Sequence, residues 1–491
     1  MYLQPDGNDI FCDVAVVGTG PGGLAATASA VESEGKVVVI EAHDQIGGNG
    51  LLSTGWVSFV DSGLQRSLGI KDSPQLFMAD CEKLIAEAGL HYGVQWDRDL
   101  TQVYAEESKK LYEILTERGV RFSRLIKRPL QTSVDRLAAV EDTKMFPAAF
   151  EKEFSGPDVK TYLRCTAQRL IKEDGIVKGV YVQPNAKDSA PFAVWVTKGV
   201  ILATGGYGAN PSLRRHFQAD PEDMKIFAGL ATCRGDGQLM GQAVGGDLVN
   251  MTMIPPIVAV ASHLTEEAIA VNLDGNRFHD EAGPYQDRVR QLRKQRNRKA
   301  HYIFDSQTLE SKRRYVTPMA GELVQADSIA ALADKLNLPC DAVERSVQHW
   351  NDFLISDKSK DPETGRVQFT PERRPISQPP FYSKPMVVGI NLTCGGFVTT
   401  KSMQVVDVWG KPIPGLFAVG DCAGGLTPTA EMGGTHLGGG FVFGWIAGRA
   451  AVKGDELTPP HTQPTFGQVV VRPASGAAGI PIISVPVAHT K

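Results

Sequence analysis

The chain has 491 residues, of which 42% are hydrophobic and 22% charged, and its formal net charge is −4. That length is more than one simple core accommodates, so two domains are expected, and the small negative charge gives no general attraction to nucleic acid or an anionic membrane. Seven scattered cysteines without a CxxC pair argue against a disulfide framework, a zinc ribbon or a c-type haem attachment.

The first segment enters a strand with no charged-then-apolar leader, and no apolar run reaches bilayer length, so no membrane span and a cytoplasmic, reduced setting are expected. From Asp13 the chain reads DVAVVGTGPGGLAATASAVESEGKVVVIEA. A β-branched run, Val14 to Val17, opens into Gly18-x-Gly20-x-x-Gly23. A small-residue helix follows, then a second apolar strand, Val37 to Ile40, that ends at Glu41. In such a βαβ unit Gly18 permits the tight turn, Gly20 lets a pyrophosphate approach bare backbone, and Gly23 lets the helix pack on the strand. The phosphates then meet a helix N-terminus, whose free N–H groups and dipole favour negative charge. Glu41 stands where a carboxylate accepts from both ribose hydroxyls and repels a 2′-phosphate, which argues against NADP.

A second glycine-rich loop, AHDQIGGNGLLSTG (42–55), adds Gly48, Asn49, Gly50, Ser53, Thr54 and Gly55 as cofactor-binding candidates. Further along, GVILATGG (199–206) contributes Ala203, Thr204 and Gly205, and Asp236 stands near the start of GDGQLMGQAVGGDL. GLFAVGD ends at Asp421, and Gly438 and Gly439 lie in TPTAEMGGTHLGGGFVFGWIAGRAA (427–451). Small residues wrapping a ligand from distant segments suit a long, buried FAD better than a loosely held NAD.

These segments resemble the glutathione-reductase-like flavoproteins and, together with AVNLDGNRFHDE (270–281), the fumarate reductase and 3-ketosteroid dehydrogenase family. The resemblance runs from about Asp13 to about Val452. It implies an α/β fold: a Rossmann-like FAD-binding domain of glutathione-reductase type with an inserted α+β capping domain. The expected boundaries are 1–250 and 389–456 for the FAD-binding domain, 251–388 for the cap, and 457–491 for a C-terminal tail. Within the cap, 327–354 reads as two helices around Pro339.

The stretch RFHDEAGPY matches the ketosteroid dehydrogenase pattern at Arg277, Phe278, Glu281, Pro284 and Tyr285. In those enzymes the tyrosine is the catalytic base, whereas fumarate reductases place a proton-donating arginine there. The resemblance therefore implies α,β-desaturation of a cyclic ketone or keto acid, with the proton passing to Tyr285 and the hydride to FAD N5. A free phenol titrates near 10, so such a base needs assistance near neutral pH. An ene-reductase of an unsaturated carboxylic acid, with Tyr285 as proton donor, and a catalytically lapsed flavin-binding protein are the alternatives.

The sequence also departs from both relatives. His436 stands where fumarate reductases grip a carboxylate with arginine, and NLTCGG (391–396) lacks their histidine. No tyrosine accompanies TAEMGGTHLGG, so Gly434 is expected to offer a backbone N–H to the substrate carbonyl. His436 is then either a second donor or a helix-start histidine beside FAD. The loop GGNGLLSTG has no histidine for a covalent flavin link, so FAD is expected to bind non-covalently.

The partners expected are a small-molecule ketone or carboxylic acid and an external electron acceptor: oxygen, a quinone or a carrier protein. The basic run RVRQLRKQRNRKA (288–300) reads as a solvated helix face. The tail, rich in Pro, Gly and Ala with β-prone runs at 468–471 and 480–486, reads as an arm crossing to another subunit of a homo-oligomer or as a flexible end.

Overall fold

The computed structural model describes residues 8–88, 95–128, 130–187, 189–217, 226–259, 261–318, 321–427, 429, 431–454, 470–471 and 483–484. Its main sheet has eight strands. Across it run Gln404–Val406, Pro412–Ala418, Phe192–Leu202, Ile10–Val17, Val37–Ile40 and Val159–Tyr162, with the hairpin Cys165–Glu173/Ile176–Pro184 pairing onto Phe192–Leu202. The four strands from Pro412–Ala418 to Val37–Ile40 are mutually parallel. Side chains alternate across Ile10–Val17: Val14 and Val16 join one core, while Ala15 and Val17 join the core on the other face. From Val14 on both faces are buried, which is why Val14 to Val17 reads as an unbroken apolar run.

Two helices cover one face, Pro21–Glu32 and the almost wholly buried Thr435–Lys453. They touch backbone to backbone. A Cβ on Gly444 would come within 2.2 Å of Gly22 O, and one on Gly448 within 2.3 Å of Ala26 O. The C-terminal glycine pattern is therefore largely a packing device, since only glycine lets two helices approach so closely.

Residues 269–385 build a separate four-stranded antiparallel sheet, ordered Ile269–Asn272, Ala300–Asp305, Phe381–Pro385, Val324–Ala326. The helices Ile329–Lys335 and Cys340–Ile355, which flank Pro339 as expected, bury Trp350 and Val343 against one face. On the other face the helices Tyr285–Lys294 and Ser306–Val316 bury Val289, Leu292, Leu309 and Val316.

The basic run is only partly as expected. It is helical to Lys294, but Arg288 is 1% exposed and points inward. Of the tail, the short strands Val470–Val471 and Ile483–Ser484 pair antiparallel, and the rest lies outside the described residues. Among the described residues no helix is long and apolar enough to cross a membrane.

Candidate active site

Parallel register assembles the cofactor side. Val17 lies beside Ile40 and Leu202, and Leu202 lies beside Ala418. The residues that follow each strand, Gly18, Glu41, Ala203 and Val419 to Asp421, therefore emerge together at one carboxyl edge, where open α/β sheets hold ligands. They line a single cavity with Gly20, Gly22, Gly48, Asn49, Gly50, Ser53, Thr54, Thr204, Gly205 and Asp236.

Two details adapt this edge to a dinucleotide. Gly18 sits at φ +100°, and a Cβ there would strike Ala203 O at 2.4 Å, whereas a Cβ on Gly20 would meet nothing within 4 Å, leaving its backbone open to a ligand. The buried Glu41 carboxylate is held at Oε2 by the Thr19 amide (2.9 Å) and hydroxyl (2.5 Å) and at Oε1 by the His43 amide (2.7 Å), which leaves Oε1 able to accept a further hydroxyl. Asn49 ties two distant loops together by accepting from Leu230 N (2.8 Å) and donating to Cys233 Sγ (3.2 Å).

Four expected cofactor residues do not line the cavity. Gly23 packs over Gly18, where a Cβ would lie 1.9 Å from the carbonyl oxygen, and Gly55 at φ +70° turns the chain beneath Val140. Gly438 lies under the Tyr104 hydroxyl and Gly439 beside Leu426; the next residue, Gly440, faces the cavity instead. Helical phase, invisible in a run of three glycines, decides which of them turns inward.

At the far end the cavity is lined by Leu52, Trp56, Ala228, Ile257, Ala259, His263, Tyr285, Asn391, Leu392, Gly433, Gly434 and His436. The three expected catalytic residues, Tyr285, Gly434 and His436, thus share one cavity. Gly434 caps the helix Thr435–Lys453 at φ +76°, and a Cβ there would collide with Leu137 at 2.4 Å. His436 Nδ1 lies 3.1 Å from Asp421 Oδ1, so two residues expected to serve substrate and cofactor separately bond to each other. Burial opposes a charge on His436, but the Asp421 carboxylate, with the nearby Cys394 sulfur, outweighs it and pushes the imidazole up to about 10. His263, stacked on Tyr315 with centroids 4.5 Å apart, goes the other way: burial, aided by Lys312, pushes it down to about 3.

Tyr285 is half-buried and opens its helix directly after the extended Pro284 (φ −54°, ψ 143°). The preceding motif forms a buried brace. Arg277 Nη2 meets Glu281 Oε2 at 2.8 Å, and its Nη1 meets Asp361 at 2.8 Å. Arg366 Nη1 reaches the same Glu281 oxygen at 3.2 Å. Burial would raise Glu281, but Arg277 wins and holds it down at about 2. Arg277 and Glu281 are therefore struts that fix the corner presenting Tyr285.

Around the phenol stand two arginines that the sequence did not single out. The Arg128 guanidinium carbon is 4.8 Å, and that of Arg288 4.9 Å, from the Tyr285 ring centroid. Arg128 is 3% exposed and donates from Nε to Gln131 (3.2 Å); Arg288 donates from Nε to Gly283 O (2.8 Å). Glu431 joins this corner, accepting from Gln286 N (3.0 Å) and Gln131 Nε2 (3.1 Å), with Arg128 Nη2 at 4.0 Å.

A largely parallel sheet, a glycine turn with its buried acidic partner, and a slot along the carboxyl edge define a dinucleotide-binding protein. The chain belongs to the FAD binding domain family, whose sequence profile matches residues 13–437. Its relatives include a probable fumarate reductase of Shewanella frigidimarina, 28% identical over 465 residues, covering 90% of this chain and 74% of the relative. A 3-oxosteroid 1-dehydrogenase of Mycobacterium tuberculosis is 28% identical over 321 residues, 57% of each chain. The structure superposes on an open flavocytochrome c3 fumarate reductase with a TM-score of 0.71 at 26% identity, covering 91% of this chain and 79% of that one. The cofactor is FAD, and the protein is an FAD-dependent oxidoreductase acting on CH–CH groups.

Proposed function

We propose that the chain is a dehydrogenase that introduces a C=C bond α,β to the carbonyl of a cyclic ketone or keto acid, with residues 251–388 as the cap over its substrate. The observation that carries this reading is the meeting of Tyr285, Gly434 and His436 on one cavity whose nearby walls, Trp56, Ile257, Ala259 and Leu392 among them, are mainly apolar. Apolar walls suit a carbon skeleton better than a small dicarboxylate. Tyr285 Oη takes the proton from the carbon α to the carbonyl. The Gly434 N–H and the His436 imidazolium bind the carbonyl oxygen as charge develops there. Non-covalently bound FAD supplies the two-electron oxidation, and an external acceptor takes the electrons onward.

The direct test is anaerobic mixing of the oxidised holoenzyme with a panel of cyclic ketones and keto acids. A substrate bleaches the flavin band without added reductant, and no bleaching by any of them counts against desaturation. A second reading, ene-reduction of an unsaturated carboxylic acid with Tyr285 as acid, is favoured by the fumarate reductase among the relatives. It predicts instead that photoreduced enzyme is reoxidised by such an acid under anaerobic conditions.

A further inference from the structure

The two arginines over Tyr285 take no part in the steps above, yet their setting is costly for struts. Arg128 follows the strand Phe122–Ile126, and Arg288 lies on the helix that Tyr285 opens. Both are buried, and Nη1 and Nη2 of both lack a hydrogen-bond partner among the described residues. Buried cations are ordinarily paired and fully bonded. Burial and the neighbouring Arg128 charge hold Arg288 below the usual guanidinium range.

The groups facing this corner leave both guanidinium groups without a hydrogen-bonded carboxylate. Glu431, from the glycine-rich segment, is the carboxylate beside Arg128 and is shared with Gln131 and Gln286. Glu281 is already matched by Arg277 and Arg366. His263 and His436 line the same cavity, the first held neutral and the second held charged, and Tyr302 lies near Arg288. Glu431 thus stands beside Arg128 and Asp280 lies near Arg288, yet neither carboxylate hydrogen-bonds the Nη atoms, and the group beneath both cations is the Tyr285 ring.

We propose that Arg128 and Arg288 are positioning residues for proton transfer at Tyr285: together they hold negative charge on its oxygen, so that the phenol gives up its proton and the phenolate accepts one from substrate. This rests on Tyr285 being the proton-transfer group. It serves either direction, because the phenolate is the reactant of desaturation and the product of ene-reduction.

The test reads the phenolate directly. Near-ultraviolet pH titration of the FAD-loaded wild type, minus that of Tyr285→Phe, isolates one of the 11 tyrosines. Repeated in Arg128→Met and Arg288→Met backgrounds, each with its own Tyr285→Phe reference, the midpoint should move to higher pH by about one unit or more, as expected for losing a charge this close in a protein-like dielectric. Arg→Lys at either site should restore most of the shift. Unchanged midpoints in both Met variants overturn the proposal. Flavin content and melting temperature verify folding; where one Met variant fails to fold, the other decides. Full activity in Tyr285→Phe defeats the catalytic reading by itself, and the titration still decides whether the arginines hold charge on this phenol.

Discussion

The two ends of the cavity are built by opposite means. The dinucleotide end is chiefly backbone: strand ends in parallel register, glycines whose missing Cβ leaves room, and one carboxylate held by amides. The Tyr285 end has a mainly apolar lining backed by charged side chains, Glu281 and Arg288 from the segment of Tyr285 itself and Arg128, Arg366 and Glu431 from remote ones. A backbone wall tolerates change wherever a side chain can point away. An ionic wall fails when any one partner is removed, because the others are left buried and unpaired.

That contrast sets a graded series of substitutions. Tyr285→Phe should leave FAD bound and slow flavin reduction by about 10²–10⁴-fold, the usual share of a positioned acid–base group; stopped-flow absorbance measures it, and a wild-type rate removes Tyr285 from the chemistry. Glu281→Gln should lower stability by roughly 3–5 kcal/mol, since Arg277 and Arg366 lose their shared carboxylate. A denaturant midpoint close to wild type would show that the brace carries little.

On the backbone side the expected effects are smaller. Gly444→Ala should cost about 1–3 kcal/mol by forcing apart the helices Pro21–Glu32 and Thr435–Lys453. Glu41→Gln should weaken FAD binding by roughly tenfold, as for one charged hydrogen bond, and apoenzyme titration would reveal it.

A further effect is linked to pH. With His436 raised to about 10 from about 6.5 when unfolded, its stabilisation is fully present below pH 6.5 and is lost as pH rises through about 10. The melting temperature should fall across that window, and Asp421→Asn should flatten the decline.

Legibility follows the same division. Gly18, Glu41, Ala203 and Asp421 each end a recognisable strand, so a short window of sequence reveals them. That Gly440, and not Gly438 or Gly439, lines the cavity was not legible, because three consecutive glycines carry no mark of helical phase. Arg128 and Arg288 were missed for a different reason. Arg128 follows a strand without periodic signal, and Arg288 sits in a basic run whose composition resembles a solvated face, although Val289 and Leu292 beside it are core.

By itself the sequence determined the βαβ cradle, the choice of FAD and the corner at Gly283-Pro284-Tyr285, because each depends on neighbouring residues whose backbone preferences are local. Only the tertiary structure decided that two buried guanidinium groups lie over the phenol, that Asp421 and His436 bond to each other, and which glycine faces the cofactor slot. Those outcomes depend on side chains meeting across a folded loop or between remote segments, or on the rotation of a packed helix. Short-range preference constrains neither.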